Sequence, residues 1–233
     1  MRAPPLLAVL GAVLLGGLWF AGHDNLSIPL AFAAEEAVLA PKPQVDAPSQ
    51  QKLENAVFAG GCFWGVEGVF SHVKGVRQAV SGYSGAPGRP GSYERVSTGR
   101  TGFAEAVRVT YDPKVVSYGD LMRIFFSVVA DPTTLNHQGP DHGTQYRSAL
   151  FPTNAGQGKA AGAYLAQLQK SGLWAGKIVT RIEPFRGFHE AESYHQDFMK
   201  NNPRHPYIMH WDRPKLSALK KFFPQWYKEK AAA

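Results

Sequence analysis

The order in which two hydrophobic periods alternate along this chain limits its fold more than any other feature. Residues 55–59 (NAVFA) form a short apolar run ended by Gly60 and Gly61, the pattern of a buried strand. Directly afterwards Phe63, Val66, Phe70 and Val73 recur at three- and four-residue intervals, which puts one apolar stripe on a helix. Residues 78–84 suit a second strand. Residues 104–111 (AEAVRVTY) alternate Ala106, Arg108 and Thr110 with Val107, Val109 and Tyr111, as a half-buried strand does. Ser117, with Asp120 three positions on, opens a further helix whose stripe is Leu121, Ile124, Phe125 and Val128. A strand over residues 146–151, an alanine-rich helix over 153–170 and a strand over 177–182 follow. The order β-α-β-β-α-β, then α-β, predicts the α+β class and, within it, a ferredoxin-like (split βαβ) two-layer α/β sandwich. Glycine and proline crowd the stretches between, notably 85–91, so the sandwich is expected to carry long irregular loops.

With one cysteine in 233 residues, no internal disulfide can hold this sandwich and the core must do so. The net charge of +7 comes from Lys and Arg spread along the chain without any nucleic-acid motif, so no nucleic-acid partner is expected. Residues 1–33 read as a signal peptide: Met1-Arg2, an apolar run over residues 6–20, then a small-x-small cleavage pattern ending at Ala33-Ala34. The alternative is an uncleaved membrane anchor through residues 6–20. Either reading places the rest of the chain on the exported, periplasmic side. Residues 34–54, rich in Ala, Pro and Gln, read as a flexible linker, residues 55–212 as the folded catalytic domain, and residues 213–233 as a C-terminal extension. No coiled-coil pattern or dimer stripe is apparent, and a monomer is expected.

Cys62 falls at the turn from strand to helix. Glycines before it let the backbone bend and leave the sulfur uncovered, and the unpaired N–H groups of a helix start favour a thiolate. Phe63 and Trp64 adjoin it and suit an apolar box for a methyl or thioether group, while Gly65 leaves a gap on the helix surface. Glu105 lies on a strand between Ala104 and Ala106, close to Phe103. Burial there raises a carboxyl's pKa and makes it a general acid. The segment 136–148 (NHQGPDHGTQYRS) is dense in polar groups. His137, Asp141 and His142 can be read as metal ligands, but a structural zinc site usually takes four and the cysteine is far off, so a substrate-binding loop built on Asp141 and Tyr146 is preferred. Residues 188–198 lack the HExxH spacing and read as an amphipathic helix whose His195 and Gln196 order a loop.

The motifs GGCFWGVE, TGRTGFAEAV, YDP, DHGTQYRS and AESYHQDF, in this order, resemble the A-type peptide methionine sulfoxide reductases over about residues 57–207. The resemblance implies Cys62 as nucleophile, Glu105 as acid, and Tyr93 and Tyr146 as hydrogen-bond donors to the sulfoxide oxygen. It further implies a methyl pocket of Phe63, Trp64 and Tyr146, with Asp141 supporting substrate or its water network. The implied substrate is the S epimer of methionine sulfoxide, free or in oxidised proteins, with neither cofactor nor metal bound. The implied product on the enzyme is a Cys62 sulfenic acid. Two departures stand out. Phe103 replaces a histidine found in many relatives, making the surroundings of Glu105 more apolar. The C-terminal FFPQWYKEKAAA lacks the resolving cysteines of many relatives, so the sulfenic acid requires an external thiol, either a small one such as glutathione or a thioredoxin-like protein. The alternatives are a thiol hydrolase or acyl transferase using Cys62 with His142 or His195, and a non-enzymatic exported metal-binding protein.

Overall fold

A computed structural model describes residues 37–49 and 51–232. The expected signal or anchor segment 1–33 lies outside the described residues, among which no helix is long and apolar enough to cross a membrane. Strand β1 (Glu54–Ala59) leads through the glycine pair into helix α1 (Phe63–Ser71), β2 (Val76–Ser84), a short helix α2 (Tyr93–Ser97) and β3 (Ala104–Tyr111). Helix α3 (Tyr118–Ile124) runs into a π-helical turn, Phe125–Val129. A small hairpin, β4 (His137–Gln138) and β5 (Asp141–His142), precedes β6 (Ala149–Phe151), α4 (Ala155–Ser171), β7 (Arg181–Ile182) and β8 (His189–Glu190). A short α5 (Phe198–Asn201), a π-helical turn Ile208–Asp212 and α6 (Arg213–Phe222) complete the chain.

The six-stranded sheet has the order β7-β6-β1-β3-β2-β8, antiparallel except between β6 and β7. Without its two outer strands it is β6-β1-β3-β2 with α1 and α3 as crossovers, the split βαβ arrangement that the alternating periods imply. Period-two alternation assigns the faces. Phe58 on β1 and Val107 and Val109 on β3 join the main core, where the Phe58 ring stacks on Phe70, Phe125 and Tyr118. Val57, Ala59, Ala104, Ala106, Ala149 and Phe151 face the other way, under Phe188. Glu105 shares its parity with Val107 and therefore points toward α1.

The expected single stripe on α1 is too narrow a description, since the helix is buried on nearly every side. Its outer face is covered by residues 198–222, which the expected boundary at 212 divides. Beyond α6 the chain returns to the end of α1: Lys74 N donates to Trp226 O at 2.6 Å and Lys228 N to His72 O at 2.9 Å. The expected linker differs as well. Residues 37–49 run extended across the helical layer, with Ala40 fully buried, its N donating to Ser127 Oγ and its carbonyl accepting from Arg123 Nε. Tyr164 and Gln167 of α4 bond the carbonyls of Pro41 and Lys42. The stretch lacks helical or strand periodicity because its polar backbone groups find partners on side chains of other elements.

Residues 188–198 do not form the expected amphipathic helix. His189–Glu190 pairs with β2, Ser193–His195 makes a 3-10 turn, and Gln196 both donates to Ser81 O and accepts from Ser81 N, so the segment is held against the sheet edge. The strands expected over 146–151 and 177–182 shrink to three and two residues, because Tyr146 ends a 3-10 turn and residues 177–180 are connecting chain.

Candidate active site

The glycine pair sets Cys62 in place. Gly61 has φ +88°, which L side chains rarely adopt, and a Cβ there would lie 2.6 Å from Gln138 Cβ. Gln138 is itself buried and fixed by bonds to Asp131 and Thr134, so the turn is wedged against a firm loop. Cys62 is the N-cap of α1 and stays partly exposed. The next amide, Phe63 N, donates to Glu105 Oε2 at 3.0 Å. One peptide unit therefore joins the thiol to the carboxyl on β3.

Glu105 is 1% exposed. Burial pushes its carboxyl up to about 8, against the Phe63 amide bond and with Asp141 adding to the rise. The residue is thus an acid at neutral pH, as its apolar strand neighbours imply. Cys62 departs from its expected thiolate character. Burial, then the charges of Glu105, Asp212 and Asp141, drive the thiol well above its ordinary value, and a bond from the Trp64 amide only partly offsets them. The helix dipole is worth at most about 2 kcal/mol and is outweighed by burial first and by the acidic neighbours second.

Tyr93 and Tyr146 come from the first residue of α2 and the end of the 3-10 turn Thr144–Tyr146. Burial raises both phenols, so both keep their protons as donors, and each senses Glu105, Cys62 and the other. The loops bearing them are tied together: Thr144 Oγ1 donates to Gly99 O at 2.6 Å and Gln145 Nε2 to Ser97 O at 3.1 Å. Arg147 clamps the same corner through Glu183 at 2.8 Å and Gly102 O at 3.0 Å. Glu192 fixes Tyr93 from below, accepting from its backbone N at 2.8 Å and from Tyr83 Oη at 2.8 Å.

Phe63 is buried and Trp64 half-buried. The Trp64 indole stacks on Phe198 at 3.7 Å, meets Tyr207 edge-on at 5.8 Å, and donates to His195 Nδ1 at 3.0 Å. Asp141 accepts a short hydrogen bond from Tyr207. The structure therefore brings Cys62, Glu105, Asp141, Tyr93, Tyr146, Phe63 and Trp64 to one place, and adds Tyr207, Phe198, Glu192 and Asp212. Glu192 and Phe198 lie within the AESYHQDF motif without a role assigned to them there, and neither periodicity nor motif marks Tyr207 and Asp212, although the aromatic spacing Phe198, Tyr207, Trp211 in a charged C-terminal stretch is a signal for them. His137 and His142 face each other across the β4–β5 hairpin at 5.1 Å while Asp141 is engaged by Tyr207. Among the described residues no three His, Cys, Asp or Glu side chains gather as a metal site. The charges that bear on Cys62 are carboxylates, and His195 is occupied by Trp64, so neither His142 nor His195 forms a thiol–imidazole pair.

A thiol, a protonated carboxyl and two phenols around an aromatic box are the parts for reducing an oxidised thioether, and sequence comparison agrees. A sequence model of the peptide methionine sulfoxide reductases matches residues 54–227. The chain belongs to this family. It is 55% identical over 177 residues to peptide methionine sulfoxide reductase MsrA 2 of Mesorhizobium japonicum, covering 76% of this chain and 91% of that relative. Against the Deinococcus radiodurans MsrA it is 47% identical over 170 residues, covering 73% and 82%. The fold matches the reduced form of Mxr1 from Saccharomyces cerevisiae with a TM-score of 0.61, 36% identity and coverage of 70% and 92%. It matches methionine sulfoxide reductase A of Corynebacterium diphtheriae with a TM-score of 0.57, 29% identity and coverage of 76% and 92%. The family match reaches residue 227, beyond the boundary expected at 212 and in keeping with the packing of α6 against α1.

Proposed function

We propose that this member of the family reduces the S epimer of methionine sulfoxide, free or in oxidised proteins, to methionine, with Cys62 as nucleophile and an external thiol as reductant. The observation that carries the reading is Glu105, a carboxyl that keeps its proton at neutral pH and is one peptide unit from the only thiol. The sulfoxide methyl sits in the box of Phe63 and Trp64, and its oxygen is held by the Tyr93 and Tyr146 hydroxyls with Asp141 and Tyr207 beside them. As Cys62 attacks, Glu105 gives its proton to that oxygen, which otherwise leaves poorly. Methionine departs and Cys62 becomes a sulfenic acid. With no second cysteine in these 233 residues, a small thiol such as glutathione or a thioredoxin-like protein attacks it and water leaves.

We also propose that the chain works as a monomer in the periplasm, reached through the signal in residues 1–33; cell fractionation with residues 1–33 intact and deleted tests the location, and a sedimentation profile the monomer. The activity is tested by reducing separated sulfoxide epimers with dithiothreitol. Consumption of the S epimer alone, lost in Cys62→Ser, is expected. After one turnover without thiol, mass spectrometry should show about 16 Da added at Cys62, the mass of one oxygen. A disulfide-linked dimer as sole product would contradict the scheme.

A further inference from the structure

Asp212 is the one buried carboxyl beside Cys62 to which the scheme above gives no task. It closes the π-helical turn before α6, is 1% exposed, and neither of its oxygens has a hydrogen-bond partner among the described residues. An unpaired buried carboxylate is costly, and such groups concentrate where chemistry uses them. Its position depends on Gly65, where an added Cβ would collide with Asp212 Oδ1 and stand 2.7 Å from Cγ. The carboxylate thus fills the space of a missing side chain on the first turn of α1. Helical side chains lean toward the N-terminus and positions three apart share a face, so that space borders Cys62. The charge of Asp212 accordingly bears on the thiol.

The neighbouring carboxyls are engaged, Asp141 by the Tyr207 hydroxyl and Glu105 by the Phe63 amide. The titratable groups facing Asp212 are Cys62 at the N-cap of α1, Asp141 on β5, Tyr207 before the π-helical turn, and Lys215 on α6. Burial lifts Asp212 to about 7, with Lys215 opposing and Asp141 adding, while Glu105 is lifted to about 8. One pocket therefore holds a carboxyl fixed by the Phe63 amide and another whose two oxygens have no partner among the described residues, open to accept a proton.

We propose that Asp212 is the proton acceptor for Cys62. The inference rests on the reductase reading and completes its proton balance. During reduction the Cys62 S–H bond breaks and its proton goes to Asp212. The sulfur gains the sulfoxide oxygen, which carries the Glu105 proton, and the thioether leaves reduced by two electrons. Cys62 is oxidised by the same two electrons, with Glu105 now ionised and Asp212 protonated. During resolution the external thiol gives its proton to Glu105 and forms the S–S bond, while the hydroxyl takes the Asp212 proton and leaves as water. Both carboxyls return to their starting states.

Asp212→Asn keeps the shape and removes the charge and the basicity. Two rates are read at pH 7–8: turnover of methionine sulfoxide with dithiothreitol, and alkylation of Cys62 by iodoacetamide. Turnover is expected to fall about 10²-fold, as for loss of a general base, while alkylation is unchanged or faster because the thiol loses a negative neighbour. A merely structural role lowers both rates, and a pure brake on the thiol raises both. Either outcome, or unaltered turnover, overturns the proposal. Should Asp212→Asn not fold, the unsubstituted enzyme decides. Infrared difference spectra between the reduced enzyme and the enzyme after one turnover without thiol should show one carboxylic-acid band vanish and another appear. Loss without gain overturns the proposal. An unsubstituted enzyme that leaves methionine sulfoxide untouched removes instead the reading beneath it.

Discussion

At the scale of single residues, the site works by keeping protons on. Cys62 is a resting thiol, and thiols oxidise more slowly than thiolates, which guards a residue that has no partner in its own chain. Glu105 shows the cost in stability. Unfolded, it ionises near 4.5, whereas folded it holds its proton to about 8. Between those values unfolding releases a proton, so stability falls with rising pH by at most about 1.4 kcal/mol per unit and levels off above 8. Glu105→Gln removes that loss and still accepts from Phe63 N. The variant is expected to be more stable than its parent at pH 9, on the order of a few kcal/mol in urea titrations, and about 10²–10⁴-fold less active. Gain of stability without loss of activity would take the acid role from Glu105. Phe103, 3% exposed and edge-on to His189, belongs to the main core two residues before Glu105. Phe103→His is expected to lower the pH at which activity declines on the alkaline side, and an unchanged profile would show that Phe103 does not set the Glu105 proton affinity.

At the scale of elements, the turn into α1 places Cys62, Phe63 and Trp64, and the glycines on either side of them decide where. Gly61→Ala puts a side chain at φ +88° and against Gln138, whose bonds hold residues 131–138. The expected cost is about 1–3 kcal/mol, together with lower activity because Cys62 is the next residue. A variant with parental urea midpoint and turnover would mean that the turn accommodates the change. The strand-glycine-cysteine-helix order and the alternation on β3 were legible in the sequence because both are local and periodic. That Cys62 is no thiolate was not, since it follows first from burial by the assembled fold and then from acidic groups on β3, β5 and the turn before α6, up to 150 positions along the chain. Residues 188–198 misled for a related reason: their apolar and polar residues fit a helical period, but Gln196 answers the open edge of β2 instead.

At the scale of the whole molecule, the sandwich follows from its periods, while what wraps it does not. Residues 37–49 carry no periodicity, and their order derives from partners such as Ser127, Tyr164, Gln167 and Gly119. Asp46 illustrates the coupling, because it accepts from Gly119 N at 2.7 Å and from Ser117 Oγ, the cap of α3. Removing this strap leaves the core strands and the site residues in place but uncovers the π-helical turn and the face of α4. Each of its bonds contributes about 1 kcal/mol net, less the entropy of ordering the strap. A chain beginning at residue 51 is therefore expected to fold, to lose about 2–4 kcal/mol of stability by urea titration, and to retain the parental KM for methionine sulfoxide. An unaltered urea midpoint would make the strap a passive tether, as its composition alone suggests. A raised KM would place it within reach of the site.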